Sequence, residues 1–350
     1  MKYRTYPNSD VTVSEVGFGT WTVSAGWWGS FSDDQAIRLL RAARDLGVTL
    51  FDAADSYGNG RAEELVGRAF RDNRHQVVLA TKVGYDFYAH PERKRGQREI
   101  PQNADPAYLR SAVEKSLERF GSDVIDIVAF HNAKLKQVED DAVWETFERL
   151  KEEGKVRHWG AALGPSNGYL YEGLDLIRRR RAGSLQLINN ILEPFPGQHL
   201  TESAGETGDT GVMVRVTHSS GMLEGCYSED TTFDQNDHRR HRPRSWLLNG
   251  LKKVETLGFL HQGRDLTLGQ ASLKWLLASP AVMTTLPNIY DQAQLEEFAA
   301  APDKPDLSGD DLARIDALQG ENFGVYEEHM KYKGTMHREG EQPVTPCYSP

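Results

Sequence analysis

Short apolar runs alternate along the chain with longer segments in which apolar residues recur every three or four positions. The short runs predict buried strands of a parallel sheet, and the longer segments predict amphipathic helices. Strands separated by helices are typical of βα units, and eight such units favour a (β/α)8 barrel over an open doubly wound sheet. The eight predicted strands cover residues 16–19, 48–54, 77–82, 124–131, 156–163, 185–190, 211–218 and 282–288.

The predicted helices have recognisable ends. Residues 33–47 keep their apolar side chains on one helical face, and Gly47 fits a helix end. Ser32 and Gln35 fit a capping box at the start of this helix. Pro106 fits the first turn of another helix. Further helices are predicted to begin near residue 62 and to cover residues 142–154, 169–181 and 267–280.

We expect residues 1–350 to form a single barrel domain with two additions. One is a long insertion or loop region at residues 219–266, rich in charge and loop residues. The other is a C-terminal tail, residues 321–350, which we expect to be loosely ordered. The tail contains aromatic residues that could fold over a site.

Composition narrows the class of protein. The net charge of −10 argues against nucleic acid as a partner, and no apolar run approaches the length of a membrane span or a signal peptide. Cys226 and Cys347 lie far apart, which argues against a disulfide framework and a metal site. We therefore expect a cytoplasmic protein without a metal. The basic cluster at 237–244 is either a solvated loop or a local anion site.

Three predicted strands end in ionisable side chains, and catalytic groups of such barrels lie where strands end. Asp52, Lys82 and His131 occupy these positions, and Tyr57 follows in the loop after Asp52. Each residue alone has an ordinary explanation in loop solvation or hydrogen bonding. The four together at one end of one barrel favour a catalytic set.

The chemistry of these four side chains fits together. A tyrosine is a poor acid at neutral pH, and a neighbouring ammonium such as Lys82 favours its phenolate form. Asp52 would compensate the charge of Lys82, and His131 could donate a hydrogen bond to a substrate oxygen. The set is suited to protonating an oxygen as hydride arrives at the adjacent carbon.

Four motifs in this order carry a resemblance to a known family. They are "GFGTW" at 17–21, "FDAADSYGNGRAEELVG" at 51–67, "LATK" at 79–82 and "DIVAFHN" at 126–132. In order and spacing they are similar to the aldo-keto reductase superfamily, and the similarity extends to about residue 300 and includes "GMLEG" at 221–225. The resemblance implies a barrel capped by an N-terminal hairpin, and nicotinamide-dependent reduction of an aldehyde or ketone, or the reverse. It assigns Tyr57 as general acid/base, supported by Asp52, Lys82 and His131.

The resemblance also implies a nicotinamide site, with departures. The Ser-Asn pair of the family is replaced by Ala162-Leu163, and Ser166-Asn167 lies four residues further on. Gln186 matches the family glutamine beside the carboxamide. Arg215 stands where an aromatic ring usually stacks on the nicotinamide, a role its guanidinium plane could fill. The cofactor-binding residues implied in all are Gly19, Thr20, Trp21, Gln186, Arg215, Asn288 and Asp291.

The choice between NADP(H) and NAD(H) stays open. The family prior favours NADP, but residues 286–298 contain no Lys or Arg to bind a 2′-phosphate. Asp291 and Glu296 would repel a phosphate, whereas a carboxylate can accept a hydrogen bond from a ribose hydroxyl. Against this, the N-terminus of the helix after this loop could still bind a phosphate.

Aromatic residues near the predicted barrel mouth suggest a substrate surface. Together with a histidine at a usually apolar position, they would suit a polyol or sugar-like carbonyl, although packing in the first loop is an equal alternative for the tryptophans. The candidates are Trp21, Trp27, Trp28, Tyr85 and His218.

We expect a small-molecule carbonyl or alcohol as partner, no nucleic acid and no membrane, with an oligomer possible. Two alternatives to a reductase remain. One is a non-catalytic, nucleotide-binding regulatory subunit on the same fold. The other is a lyase or isomerase in which bound NAD(P) is transiently reduced.

Overall fold

A computed structural model describes residues 1–26, 29–90, 99–235, 237–328, 330–341 and 343–344. Trp27 and Trp28, two of the substrate candidates, lie outside these residues, as does Cys347.

Within the described residues, eight parallel strands form one sheet in which each strand pairs with the next along the chain. Val16 bridges Thr285 in parallel, and Thr285 bonds to the backbone of Glu15 and Gly17, so the last strand meets the segment before the first. The predicted (β/α)8 barrel is therefore confirmed. The strands, including an N-terminal pair, are β1 Tyr3–Thr5, β2 Thr12–Ser14, β3 Phe18–Gly19, β4 Leu50–Asp52, β5 Val78–Val83, β6 Ile125–Phe130, β7 Val156–Ala162, β8 Ser184–Ile188, β9 Gly211–Arg215 and β10 Val282–Leu286.

The antiparallel pair β1 and β2 is the hairpin that the resemblance implies. Its residues Tyr6, Val11 and Val13 are fully buried or nearly so, and they pack against apolar side chains inside the barrel, including Leu50 and Met283. These inward residues lie toward the strand starts. The hairpin thus closes the N-terminal end of the barrel, and the other end is left for a site.

Helices surround the barrel and follow the strands. They are α1 Trp21–Ser24, α2 Asp33–Asp45, α3 Arg61–Phe70, α4 Pro106–Phe120, α5 Leu135–Glu139, α6 Asp141–Glu152, α7 Leu170–Arg178, α8 Gly197–Thr207, α9 Arg244–Glu255, α10 Leu268–Leu277, α11 Gln292–Ala300 and α12 Gly309–Gly320. No helix among the described residues is both long and apolar enough to cross a membrane.

The predicted helix ends agree with the structure. Ser32 and Gln35 form the reciprocal capping box of α2. Asp105 caps α4 by accepting from the backbone N–H groups of Ala107 and Tyr108, with Pro106 in the first turn. Each satisfies backbone donors that the first helical turn leaves without a partner.

The first predicted addition contains a helix, and the second contacts the barrel. Residues 219–266 include the helix α9. The tail lies along the loop before α7, where Lys333 and the Asn167–Tyr169 backbone exchange hydrogen bonds. Arg338 then donates two hydrogen bonds to Asp175, at 2.9 and 2.7 Å. The described part of the tail is therefore packed against the barrel.

Candidate active site

The C-terminal ends of β4 and β5 place a buried ion pair. Asp52 of β4 pairs in register with Ala80 of β5, and Lys82 lies two residues after Ala80 on β5. The side chains of Asp52 and Lys82 therefore both face the barrel interior. Lys82 Nζ donates to Asp52 Oδ1 at 2.8 Å, to Asp52 Oδ2 at 2.7 Å and to the Ala53 carbonyl at 2.8 Å. Burial by itself would lower the pKa of Lys82, but the Asp52 carboxylate outweighs it and the pKa is raised. The ammonium is therefore fixed and charged.

Tyr57 is carried over this pair by a tight turn. Gly58 has φ +62°, and a Cβ there would lie 2.9 Å from the Ser24 carbonyl oxygen, so only glycine fits without a shift. Lys82 Nζ lies 5.1 Å from the centre of the Tyr57 ring. The rings of Trp21 and Tyr57 meet edge to face, with the centroids 4.8 Å apart. The turn thus brings a phenol into the field of the buried ammonium.

His131 follows β6 directly and completes the set. Its ring lies 5.6 Å from that of Tyr57, edge to face, and Ser56 Oγ is 3.5 Å from its Nδ1. Burial, and after it the cations of Lys82 and Arg215, hold the pKa of His131 well below its ordinary value. A neutral imidazole has one N–H donor. His131 is thus suited to hydrogen-bonding a substrate oxygen rather than to donating a proton from an imidazolium.

A second layer supports His131. The Tyr85 ring packs edge-on against it, with the centroids 4.8 Å apart. The Tyr85 hydroxyl donates to Glu99 and accepts from Asn132 Nδ2 at 2.7 Å. Lys134 Nζ lies 3.1 Å from Glu99. This network holds both the histidine and a carboxylate at the site.

The middle of β8 and the end of β9 supply an amide, Gln186, and a guanidinium, Arg215, on the opposite side of the barrel. Gln186 Nε2 donates to Asp52 Oδ1 at 3.1 Å. Arg215 Nη2 donates to the carbonyl oxygens of Leu163 at 2.9 Å and Pro165 at 3.2 Å. Among the described residues no carboxylate forms an ion pair with Arg215, and its side chain lines the cavity described below.

One cavity of about 1060 Å³ connects these groups. Ser166 and Asn167 line it, whereas Ala162 and Leu163 are buried. The serine and asparagine that face the cavity are therefore the pair four residues beyond the expected position. The predicted site residues that line the cavity are Gly19, Trp21, Asp52, Tyr57, Tyr85, His131, Gln186, Arg215 and Asn288.

Lys82 and Thr20 lie just behind the cavity wall. Lys82 acts there through its pair with Asp52. The backbone N–H and the hydroxyl of Thr20 both donate to the Asp52 carbonyl at 2.9 Å. Thr20 therefore fixes the end of the strand that carries Asp52.

Two further expected residues, Asp291 and His218, do not line the cavity. Asp291 caps α11, where its Oδ1 accepts from the Gln294 backbone N–H at 2.8 Å. His218 is buried, with its ring 4.6 Å from Phe298 and its Nε2 3.0 Å from the Gly269 carbonyl. β9 ends at Arg215 and Val216 has φ +57°, so strand alternation does not extend to His218. The expectation that His218 faces the site is corrected by this turn.

Sequence reasoning also left several cavity residues unassigned. Three of them, His238, His241 and Arg242, belong to the basic cluster whose role the sequence left open. Two others, Met330 and Lys331, belong to the tail. The sequence shows the basic cluster and the tail as distinct segments. Neither lies at the end of a predicted strand, which is the signal that identifies the catalytic residues.

The sequence was compared with known proteins. A sequence model of the Aldo/keto reductase family matches residues 15–319. The chain is 28% identical to "Aldo-keto reductase YhdN" of Bacillus subtilis over 85% of this chain and 88% of that protein. It is 29% identical to an "NADH-specific methylglyoxal reductase" of Escherichia coli, over 84% and 91%. It is also 26% identical to a "Probable voltage-gated potassium channel subunit beta" of Oryza sativa, over 91% and 96%.

Among solved structures, the holo form of aldo-keto reductase AKR11C1 from Bacillus halodurans superposes with a TM-score of 0.73. The two are 26% identical, and the match covers 91% of this chain and 96% of that one. The family match spans the barrel and the strand ends that form the site. The chain therefore belongs to the aldo/keto reductase family of oxidoreductases.

Proposed function

We propose that this protein reduces an aldehyde or ketone to an alcohol, or catalyses the reverse reaction, with NAD(P)(H) as cofactor and Tyr57 as general acid/base. The observation that carries the proposal is the placement of the Tyr57 ring over the buried Lys82–Asp52 pair and beside His131, at the wall of a large cavity. A protein that only binds a nucleotide does not need a tyrosine placed over a buried lysine–aspartate pair.

Each residue has a task in the reduction. His131 donates a hydrogen bond that holds and polarises the carbonyl oxygen. As the carbon takes up hydride, the Tyr57 hydroxyl gives its proton to that oxygen, and the alcohol forms. The negative charge left on Tyr57 is stabilised by Lys82, while Asp52 keeps Lys82 in place.

The residues on the opposite wall fit a nicotinamide. A carboxamide needs both donors and acceptors, and Gln186, Ser166 and Asn167 supply them at the cavity surface. Arg215 offers a plane on which the ring can stack. A bound nicotinamide would supply or accept the hydride.

We further propose that NAD(H) serves at least as well as NADP(H). The N-terminus of α11 already holds the carboxylate of Asp291. A 2′-phosphate brought to that position would be repelled, and residues 286–298 contain no Lys or Arg to offset the repulsion.

For the substrate we propose a small, neutral, hydroxylated carbonyl. Glu99 lines the cavity close to Tyr85 and His131. A carboxylate there accepts hydrogen bonds from substrate hydroxyls, and it disfavours an anionic substrate.

The test compares the wild type with Tyr57→Phe on a panel of carbonyls that includes glyceraldehyde and the anionic glyoxylate. We expect Tyr57→Phe to lower kcat/KM by roughly 100-fold or more, the range of lost acid–base catalysis, while NADH and NADPH still quench tryptophan fluorescence. Tyr326→Phe removes a hydroxyl from a ring that is 91% exposed, and it should behave as the wild type.

A near-normal rate of Tyr57→Phe would refute its role as the proton donor. Nucleotide binding without turnover of any carbonyl or alcohol would favour the regulatory alternative, which a channel subunit among the relatives makes concrete. Turnover that shows no net change in NADH would favour a lyase or isomerase.

A further inference from the structure

We propose that Arg61 is a positioning residue whose guanidinium holds the side of the cavity that faces Tyr57. Two stretches of chain after β3, residues 21–26 and 30–31, line the cavity there, and we name them the first-loop wall. This inference rests on the proposed function in that it takes the first-loop wall to bound the substrate beside Tyr57. It adds a residue that the strand ends did not single out.

The first-loop wall begins with a helix that is too short to be stable by itself. α1 consists of four residues, Trp21–Ser24, and short helices depend on tertiary contacts. Trp21 on this helix meets the Tyr57 ring edge to face. The hydroxyl of Thr22 ties α1 to the Ile289 carbonyl at 2.8 Å. The C-terminal end of α1 needs a separate support.

Arg61 supplies that support. The last carbonyls of a helix have no partner within it, and Arg61 Nη1 donates to those of Val23 at 3.1 Å and Ser24 at 3.2 Å. Among the described residues no other group donates to these two carbonyls. A basic side chain is a favourable partner for the last carbonyls of a helix. The guanidinium therefore fixes the end of α1.

The same guanidinium also holds the second stretch. Its Nη2 donates to the Phe31 carbonyl at 2.8 Å, and its Nε donates to Asp33 Oδ1 at 3.0 Å. Asp33 is the first residue of α2. One planar group thus joins the end of α1 to the start of α2 through donors that point in fixed directions. A lysine has a single side-chain nitrogen and cannot occupy all three donor positions.

Arg61 also connects the first-loop wall to the turn that carries Tyr57. It is the first residue of α3 and lies four residues after Tyr57. Between them, a Cβ at Gly58 would lie 2.9 Å from the Ser24 carbonyl oxygen and 3.0 Å from Arg61 Cβ. The end of α1 is therefore in close contact with the turn, and both Ser24 and Arg61 line the same cavity as Tyr57. Loss of Arg61 would loosen the wall where it meets Tyr57.

Arg68 offers a matched control, because it binds the same carboxylate from the same helix. Its Nη1 donates to Asp33 Oδ2, and 47% of its side chain is exposed. Among the described residues it makes no contact with the carbonyls that Arg61 binds. Arg61→Met and Arg68→Met thus remove the same charge and a hydrogen bond to Asp33, and only Arg61→Met frees the backbone of the first-loop wall. Arg61→Lys keeps the charge and removes the planar fork.

Hydrogen exchange followed by mass spectrometry reports the order of the first-loop wall, and steady-state kinetics on the best carbonyl of the panel report its effect on the substrate. We expect Arg61→Met to speed exchange in peptides from residues 20–26 and 30–33. KM for the carbonyl should rise by roughly 10-fold, because the substrate must then order the wall as it binds. kcat should change by less than about threefold and keep its pH profile, because the Lys82–Asp52 pair is untouched. Arg61→Lys should behave as Arg61→Met, and Arg68→Met should stay within about twofold of the wild type.

Circular dichroism and thermal unfolding check that each variant is folded. If Arg61→Met does not fold, Arg61→Lys and Arg68→Lys carry the same comparison. A lowered Tm with unchanged exchange in the first-loop wall and unchanged KM would overturn the inference, since Arg61 would then serve stability alone. Wild-type behaviour of Arg61→Lys would also overturn it, because charge would suffice without the fork. Equal effects of Arg61→Met and Arg68→Met would assign the effect to Asp33 and overturn it too.

The two readouts separate this inference from the proposed function. If the wild type turns over no carbonyl or alcohol, the proposed function fails, and hydrogen exchange in Arg61→Met and Arg68→Met still tests whether Arg61 holds the first-loop wall. If the wild type turns over carbonyls while Arg61→Met matches Arg68→Met in exchange and KM, the role of Arg61 fails and the function stands.

Discussion

Replacing Lys82 by methionine tests how much the buried ammonium contributes to proton transfer by Tyr57. Its Nζ lies 5.1 Å from the centre of the Tyr57 ring. At that distance an ammonium attracts a full negative charge by about 3 kcal/mol for an effective dielectric constant of about 20. If the charge develops on Tyr57 in the transition state, Lys82→Met should slow the chemical step by roughly 200-fold.

The single variant has a second effect, because it leaves a carboxylate buried without its cation. Asp52 would retain the Gln186 amide at 3.1 Å and no ammonium. Breaking a buried ion pair in this way typically costs about 3–5 kcal/mol of folding free energy. The rate loss in Lys82→Met could then exceed the estimate, since Asp52 would repel the charge on Tyr57.

The double variant Asp52→Asn/Lys82→Met separates the two effects. It removes the stranded carboxylate, so the free energy of unfolding measured in urea should recover most of what Lys82→Met loses. Its rate should remain roughly 200-fold low, because the ammonium is still missing. Single-turnover oxidation of NADH, followed by absorbance with a deuterated cofactor for comparison, reports the chemical step. A double variant within tenfold of the wild-type rate would show that Lys82 serves only to neutralise Asp52, and our reasoning about Tyr57 would be wrong.

Three further predictions concern groups around the site. Burial holds the pKa of His131 well below its ordinary value, so kcat at saturating cofactor should not rise as pH falls from 8 to 6.5, as it would for an imidazolium acid. Burial, followed by repulsion from Glu63, raises the pKa of Asp55 well above its ordinary value. The folded state then holds a proton that the unfolded state loses near pH 4, so Asp55 lowers the free energy of unfolding as pH rises. Asp55→Asn should raise the free energy of unfolding by roughly 1 kcal/mol at pH 8 and have little effect at pH 4. An equal effect of the substitution at both pH values would contradict the raised pKa of Asp55. Asp175→Asn removes the negative charge of the carboxylate that accepts two hydrogen bonds from Arg338, and it leaves Arg338 with Glu341 and the Tyr171 ring. Hydrogen exchange followed by mass spectrometry should show faster exchange at residues 333–335 with little change in Tm. Unchanged exchange would show that the contact between Arg338 and Asp175 does not hold the tail.

The barrel could be predicted because its determinants are local. Apolar runs mark the strands, and caps such as Ser32 mark the helix starts. Lengths were less accurate, since the predicted strand at 48–54 is only Leu50–Asp52 in the structure. Ala53 and Ala54, which follow Asp52, are buried but lie outside the strand. The hydrophobicity of a segment indicates that it is buried, and it does not distinguish a strand from a buried segment that follows a strand.

The catalytic residues could also be predicted from local sequence patterns. Parallel strands bring their C-terminal ends together, so Asp52, Lys82 and His131 had to converge if all three strands existed. His218 failed because its prediction assumed that strand alternation continued past Arg215. A valine in the left-handed region, Val216, interrupts it, and a β-branched residue gives no warning of such a turn. Asp291 also caps α11, a role that its position three residues before Gln294 fits and that the sequence did not single out.

The role of the basic cluster at 237–244 depends on contacts that the sequence does not show, and this is why the sequence left it undecided. In a sequence, a run of basic residues looks the same whether or not nearby carboxylates neutralise its side chains. Only the structure shows that Asp237 and Tyr227 occupy Arg239, while Arg242 retains an open charge at the cavity. The two ends of the cavity then differ in kind. At one end Lys82 is fully compensated by Asp52, so its charge serves Tyr57 without attracting anions from solvent. At the other end the guanidinium of Arg242 lines the cavity, and no carboxylate among the described residues forms an ion pair with it.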